Sequence, residues 1–527
     1  MRKLVLASVS LLMMSLFVIP SVGIAGDTII SSKNWIYEGP IYEVNLDRYP
    51  NQKYTDLTQR VPQLKELGIK TIYLMPIWEC VEDKPYSIYN YSLNPKYGSE
   101  DDFHNLIDTI HCNGMKIIVD IVISYAPPGS YIYKKDWMLH YKPEYGKGVY
   151  FWRWEPSTDQ TNPDLIEYLS DTAKYYVKNY DIDGWRVDAP QLNFNMSDFN
   201  KIQEVSPEYN AVNLLRRMKE KITNVKPEAL LLTELPGPLS EGNSEAEPLF
   251  DEVSEISYSW ELTGLLRPKL ALFLSEEAKG KIREIRRRPD FLEHTEEYSK
   301  EIYEILNSDL GTHITSDEDF RKALAQYGGI FPGFVQKMIT GDATSQDLVN
   351  FFSQEQILYN RTRARWVENH DSKVRLEAAF PEQHKELVVL ISTIPGVPMI
   401  FAGQEIGARI SKQSPDWDHG DYQLREFYKK VFRIRSQNAP LKYGDIRNVW
   451  KSGDNTYAYV RSYKDEKVVV ILNFQDEKVS SALDLSFWSS GAKIYDELND
   501  EEFIVDSPKD FQVIIPAYGA RILVLQK

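Results

Sequence analysis

Two hydrophobic periods alternate along most of the chain, and together they predict a repeated helix and strand unit. Residues 69–76 form a nearly continuous apolar run, the mark of a strand covered on both faces in a parallel sheet. Ahead of it Leu57, Val61, Leu64 and Leu67 recur at helical spacing, and Gly68 ends the helix. The unit returns as helix 100–112 before strand 116–123, helix 163–179 before strand 182–188, and helix 211–225 before strand 229–235. Residues 35–49 read as a first strand with its loop, 363–369 and 397–403 as late strands, and 422–436 as a closing helix. Parallel strands joined by helices make right-handed crossovers, so the predicted fold is an α/β (β/α)8 TIM barrel.

Two connections break the rhythm. Residues 125–162, rich in Tyr, Trp, Pro and Gly, are too long for a simple turn and fall on the C-terminal side of the barrel. Residues 265–362 carry charged helical patterns at 276–288, 295–306 and 317–327 and read as a mainly helical insertion, with Arg286-Arg287-Arg288 as a solvated face. From 438 to 527 the period shortens to alternating strands at 456–463, 467–474, 511–515 and 520–525, which predicts a C-terminal antiparallel β-sandwich. The barrel domain is then 26–437.

The first 25 residues read differently. Arg2 and Lys3 precede an apolar run from Leu4 to Ile19, then Pro20 and a small-residue site ending at Ala25, the layout of a cleaved signal peptide. The run is shorter than the roughly 20 residues of a spanning helix, so a secreted or periplasmic protein without a membrane anchor is expected. Export permits a disulfide, but Cys80 falls at the top of one strand and Cys112 near the bottom of the next helix, so no bridge between them is expected. A formal net charge of −16 argues against nucleic-acid partners, and 33 Tyr with 11 Trp suit a chain that stacks on neutral sugar rings.

The chemistry gathers at strand ends. In Asp183-Gly184-Trp185-Arg186-Val187-Asp188, the period of a strand sends Arg186 and Asp188 to one face, where the guanidinium can hold the carboxylate ionised as a nucleophile. An isolated Arg-x-Asp would more often be a structural ion pair. Here Asp120 also closes the third strand, Glu234 the fifth, and His370 with Asp371 the seventh.

With these stretches in place the sequence resembles the α-amylase superfamily, glycoside hydrolase family 13. Residues 68–76 look like its second strand, Tyr86 with Asn94-Pro95-Lys96-Tyr97-Gly98 like its substrate-platform loop, and 395–405 like its eighth strand. The resemblance implies a retaining glycosidase acting on α-glucosidic, chiefly α-1,4, bonds of starch-like glucans or maltooligosaccharides. Asp188 would be the nucleophile, Glu234 the general acid/base, and Asp371 the stabiliser of the transition state. Arg186 would orient Asp188 and lower its pKa, and neighbouring carboxylates would raise that of Glu234. His370, Asp120 and Tyr125 would bind sugar, and Tyr86 would stack beneath the ring being cleaved.

Some positions depart from the family pattern. The third strand usually ends Asp-x-Val-x-Asn-His, and here Ser124 and Tyr125 replace the last two residues. Ser157 stands where a second calcium carboxylate is common, and Gln191-Leu192 replaces the usual Lys-His after the nucleophile. No cofactor is therefore expected, with calcium kept as the alternative, its usual ligands being replaced by Ser124 and Ser157. Two rival readings remain at this level: an α-glucan transglycosylase of the same family, and an inactive sugar-binding protein that kept the fold.

Overall fold

In a computed structural model of the chain, residues 34–526 are described apart from 146–147, 153–154, 191–210, 236–252, 269–274, 287, 289–293, 312, 317–328, 333, 359–361, 373, 411–412 and 450–455. The expected leader at 1–25, the helical stretch at 317–327, and Gln191 and Leu192 lie outside the described residues.

Eight parallel strands close into a barrel: β1 (Ile41–Val44), β2 (Thr71–Leu74), β3 (Lys116–Val122), β4 (Gly184–Asp188), β5 (Leu230–Thr233), β6 (Ile256–Tyr258), β7 (Thr362–Arg365) and β8 (Val397–Phe401). β1 pairs with both β2 and β8, which completes the ring. The period of two divides each strand between two cores. Ile41, Tyr73, Ile118, Leu230, Leu232 and Met399 fill the barrel interior. Their sequence neighbours Tyr42, Ile72, Ile117, Leu231 and Ile400 pack outward beneath the helices. Among those helices are α1 (Tyr54–Leu67), α2 (Glu100–Cys112), α3 (Pro163–Tyr180) and α4 (Val212–Thr223). Gly184 is required by close approach, because a Cβ there would meet the Leu230 carbonyl oxygen at 2.4 Å.

Two strands differ from the sequence expectation. β6 has only three residues, too short for its apolar run to stand out. β7 stops at Arg365, whose last partner is Pro398, so the continuing chain leaves the sheet. Asn369 then shapes a turn: its Oδ1 accepts from the Asp371 amide at 3.1 Å, and its own amide donates to Ser372 Oγ at 3.1 Å. His370 and Asp371 therefore stand in a loop beyond β7 and not at its end.

The connection after β3 folds through short bridges, Tyr125 with Ser157 and Met138 with Thr158. The segment after β6 holds the helices Glu276–Arg286, Thr295–Leu310, Phe334–Thr340 and Ser345–Leu358, but also a two-stranded ribbon, Gly264–Pro268 with Gly329–Pro332. Within it Arg288 pairs with Glu301 at 2.9 Å. Beyond the barrel, a six-stranded antiparallel sheet and the ribbon Val479–Leu483 with Phe511–Ile515 enclose one core around Ile471, Leu483, Val513 and Leu523. Both cysteines are free.

At the foot of β4, Asp183 has no exposure and ties three elements together. It accepts from Lys116 Nζ at 2.7 Å, His111 Nε2 at 2.8 Å, Lys226 Nζ at 2.8 Å and the Ile117 amide at 2.9 Å. Burial alone would raise its pKa, but the His111 hydrogen bond and the Lys226 and Lys116 ammoniums outweigh it and hold it at about 2. A folded pKa below the unfolded value of about 3.9 gives stability that is present above pH ~4 and lost as pH falls toward 2. Asp183→Asn is therefore expected to lower unfolding free energy near neutral pH by about 2–3 kcal/mol, and to flatten the acid limb of a urea-melt series. Unchanged acid sensitivity in that variant would count against the staple.

Candidate active site

The inward face of β4 places Arg186, with no exposure to water, at the centre of a carboxylate cluster. Its Nη1 donates to Asp120 Oδ2 at 2.9 Å and Oδ1 at 3.1 Å, and to Asp188 Oδ1 at 2.8 Å. Its Nη2 donates to Glu234 Oε2. One guanidinium thus holds the ends of β3, β4 and β5 together, and its Cζ lies 5.1 Å from the centre of the Tyr258 ring. The same parity that fills the barrel with Ile118, Gly184 and Leu232 turns Asp120, Arg186, Asp188 and Glu234 into the cavity.

A second chain of hydrogen bonds runs across the mouth from Asp120. Its Oδ2 accepts from Tyr73 at 2.6 Å and from Tyr86 at 3.1 Å. The Tyr86 hydroxyl lies 3.0 Å from His370 Nε2, and the two rings stack 16° from parallel. On its other side His370 Nδ1 bonds to Glu43, a fully buried carboxylate on β1 that also accepts from the His370 amide at 3.3 Å. Burial would lower the His370 pKa, but Glu43 and Asp371 outweigh it and raise it to about 9. The ring is therefore an imidazolium near neutral pH, donating from both nitrogens.

The carboxylates are poised differently. Burial pushes Glu234 up to about 8, with Asp188 and Asp371 adding to it and Arg186 opposing, so Glu234 carries a proton at neutral pH. Burial also raises Asp120 to about 6 against the pull of Arg186. Asp371, with its side chain 36% exposed and 3.9 Å from His370 Nε2, is the most open of the group.

Immediately after Asp188 the backbone of Ala189 sits at φ +34°, a strained conformation for a residue with a Cβ. Two contacts hold it: its amide donates to Glu234 Oε2 at 3.3 Å, and its carbonyl accepts from Ser124 Oγ at 2.9 Å. The Ser124 oxygen in turn accepts from Gln160 Nε2 at 3.1 Å. This arrangement does not fit calcium, which takes six to eight oxygen ligands. Here Ser124 Oγ already receives the Gln160 amide proton and gives its own to the Ala189 carbonyl, and a neutral Ser157 hydroxyl stands where a calcium carboxylate is common. Among the described residues no group of three His, Cys, Asp or Glu side chains gathers to hold a metal.

The structure brings Asp120, Arg186, Asp188, Glu234, His370, Asp371 and Tyr86 into one site. Tyr125 stands just past β3, half-buried against the main core with its backbone bridged to Ser157. Sequence reasoning missed Glu43, Tyr73 and Tyr258. Glu43 had a signal: it is the one charged residue in the strand Ile41–Val44, on the same inward parity as Ile41.

Comparisons with known proteins show what the chain is similar to. Residues 53–157 match the family described as "Alpha amylase, catalytic domain", and residues 448–522 match "Maltogenic Amylase, C-terminal domain". The chain is similar to a cyclomaltodextrinase of Thermoanaerobacter pseudethanolicus, 23% identical over 79% of this chain and 62% of that one. It is likewise similar to neopullulanase 2 of Thermoactinomyces vulgaris, 24% identical over 84% and 66%. The match therefore spans just under two thirds of the length of these relatives. An intracellular maltogenic amylase of Bacillus subtilis is 30% identical over a quarter of each chain. In three dimensions a maltogenic α-amylase of Thermotoga neapolitana superposes with a TM-score of 0.67 at 17% identity, covering 94% of this chain and all of the other. A shared barrel, the two domain matches in their order, and relatives aligned along most of the chain point the same way: the chain resembles the α-amylase superfamily, glycoside hydrolase family 13.

Proposed function

We propose that the protein is a retaining glycosidase that cleaves α-glucosidic bonds, chiefly α-1,4, in starch-like glucans or maltooligosaccharides. The observation that carries this reading is the pair of carboxyl groups gripped by one buried guanidinium, of which Glu234 is protonated near neutral pH. Two groups on neighbouring nitrogens of one guanidinium are close together, as in retaining enzymes, where the separation is about 5 Å, and not the 6.5–9.5 Å of inverting ones. Asp188 attacks the anomeric carbon while Glu234 gives its proton to the leaving oxygen, forming a glycosyl ester on Asp188. Glu234 then takes a proton from water as that water displaces Asp188, restoring both groups. Asp371, held near His370 but not on Arg186, faces the positive charge that develops at the sugar ring. The likeness to a cyclomaltodextrinase and a neopullulanase supports α-glucans as the substrate class.

The reading needs no metal, since Ser124 already holds the Ala189 carbonyl. Export rests on residues 1–25 alone and is proposed on their pattern.

Asp188→Asn is expected to reduce kcat on maltooligosaccharides by on the order of 10⁴-fold or more with an unchanged melting temperature; near-normal turnover would exclude this mechanism. Incubation with a chelator should leave the rate unaltered, and inactivation reversed by calcium would overturn the metal-free reading. The proton on Glu234 is present below its raised pKa, so kcat/KM should fall as pH rises through about 8. Glu43→Gln removes the carboxylate that keeps His370 charged, and because that imidazolium lowers the Glu234 pKa, its loss should move that limb to higher pH. A purely structural role for Glu43 would instead lower activity at every pH and leave the limb in place.

A further inference from the structure

We propose that a tyrosine-lined groove on the outer flank of the barrel is a second glucan-binding site, separate from the carboxylate cavity. The identity of the ligand rests on the function proposed above, whereas the class of ligand, a neutral oligosaccharide, rests on the groove itself.

The groove, of about 1170 Å³, runs between the strand Ile88–Leu93, the start of α2, the turn at Gly129 and α3. Tyr168, Thr172 and Tyr175 line it from one face of α3, being spaced three, four and seven residues apart, and Tyr176 lies beneath them. A solvent-facing stripe of that spacing would ordinarily carry charge, and here it carries phenol rings. Three tyrosines of the lining are about half-exposed: Tyr89 at 46%, Tyr131 at 54% and Tyr175 at 52%. The Tyr131 amide donates to the Tyr89 carbonyl at 2.9 Å, which sets those two side by side. The Tyr131 ring packs 5.2 Å from that of Tyr168, and Tyr175 follows Tyr168 by two helical turns, about 10 Å along the axis. The open rings are thus spread along the groove as a platform for several consecutive sugars.

The platform is firmly seated. Tyr91 and Tyr176, both 5% exposed, form its floor, with the Tyr176 hydroxyl on the Tyr91 carbonyl and the Tyr91 hydroxyl on the Val122 carbonyl. Lys134 Nζ, not part of the lining, lies 4.3 Å from the Tyr131 ring and 3.6 Å from Trp137, steadying the loop by cation–π contact. Val122 pairs with Asp188 across β3 and β4, so one tyrosine separates the groove floor from the strand that carries the catalytic cluster.

The lining chooses between ligands. Among the described residues it contains no Lys, Arg or His, and its charged members are Glu79, Glu100 and Asp171, so phosphates and other polyanions are repelled. Among the described residues Leu93 and Pro95 are its only aliphatic or proline side chains, too little for an apolar peptide. Phenol faces with hydroxyl and carboxylate rims match the C–H faces and equatorial hydroxyls of pyranose rings.

The test compares the full chain with a Tyr131→Ala, Tyr175→Ala double variant by affinity electrophoresis in gels containing soluble starch. A parallel assay follows hydrolysis of a short maltooligosaccharide that fills only the catalytic cavity. The expected result is an apparent affinity for starch weakened roughly tenfold, with kcat/KM on the short substrate and the melting temperature unchanged. The double variant carrying Phe at both positions, which keeps the rings, should retain starch binding. Equal retardation of the Ala variant and the parent overturns the site, as does a starch affinity that falls only together with the melting temperature. Retardation by a β-linked glucan in place of starch also overturns it. A chain that hydrolyses no α-glucan yet loses starch retardation in the Ala variant would refute the proposed activity and leave the groove standing.

Discussion

Arg186 is a cation with no access to water, and much of the barrel's upper half follows from keeping it there. An unpaired guanidinium at that depth would cost several kcal/mol, and removing one partner of a buried pair costs about 3–5 kcal/mol. Asp120, Asp188 and Glu234 supply the partners from three adjacent strands, so β3, β4 and β5 are fixed relative to one another at the site. Gly184 allows that approach by bringing β4 against the Leu230 carbonyl. The ion cluster and the strand register are in this sense one constraint. A one-residue slip of β4 would turn Arg186 into the helix layer and Trp185 into the cavity.

The barrel was legible because its strands and helices differ in period over long stretches, and because Arg186, Asp188, Asp120 and Glu234 share the inward parity of strands whose other members are apolar. What escaped was short or non-local. β6 has three residues after a long polar segment, and no periodicity resolves in three positions. The end of β7 was placed four residues late because Trp366 and Val367 are apolar and buried, although they lie beyond the sheet. Glu43 stands 327 positions from His370, and only closure of β1 against β8 brings them together. The side ribbon after β6 pairs Gly264 with Pro332 and Pro268 with Gly329, a register that local pattern does not encode. The tyrosine stripe on α3 was visible as a count of aromatics, but its openness to solvent is a property of the folded surface.

The two chains of hydrogen bonds around the cavity have opposite electrostatic consequences, and the difference accounts for the separate states of its acids. Arg186 spreads one positive charge over three carboxyl groups, which is too little to keep all of them ionised once they are buried, and the proton settles on Glu234. Glu43 supplies His370 with a hydrogen-bonded counter-ion, and with Asp371 it keeps the imidazolium charged at the mouth. Asp371 has the greatest exposure of the group. Five carboxyl groups against two cations leave the cavity negative even with Glu234 protonated. A site with that surplus favours positive charge over neutral ligand, which is the difference between an oxocarbenium-like transition state and the sugar that precedes it. Ser124, by holding the strained Ala189 carbonyl through a hydroxyl, preserves that surplus, because a divalent cation a few residues from Asp188 would offset part of it.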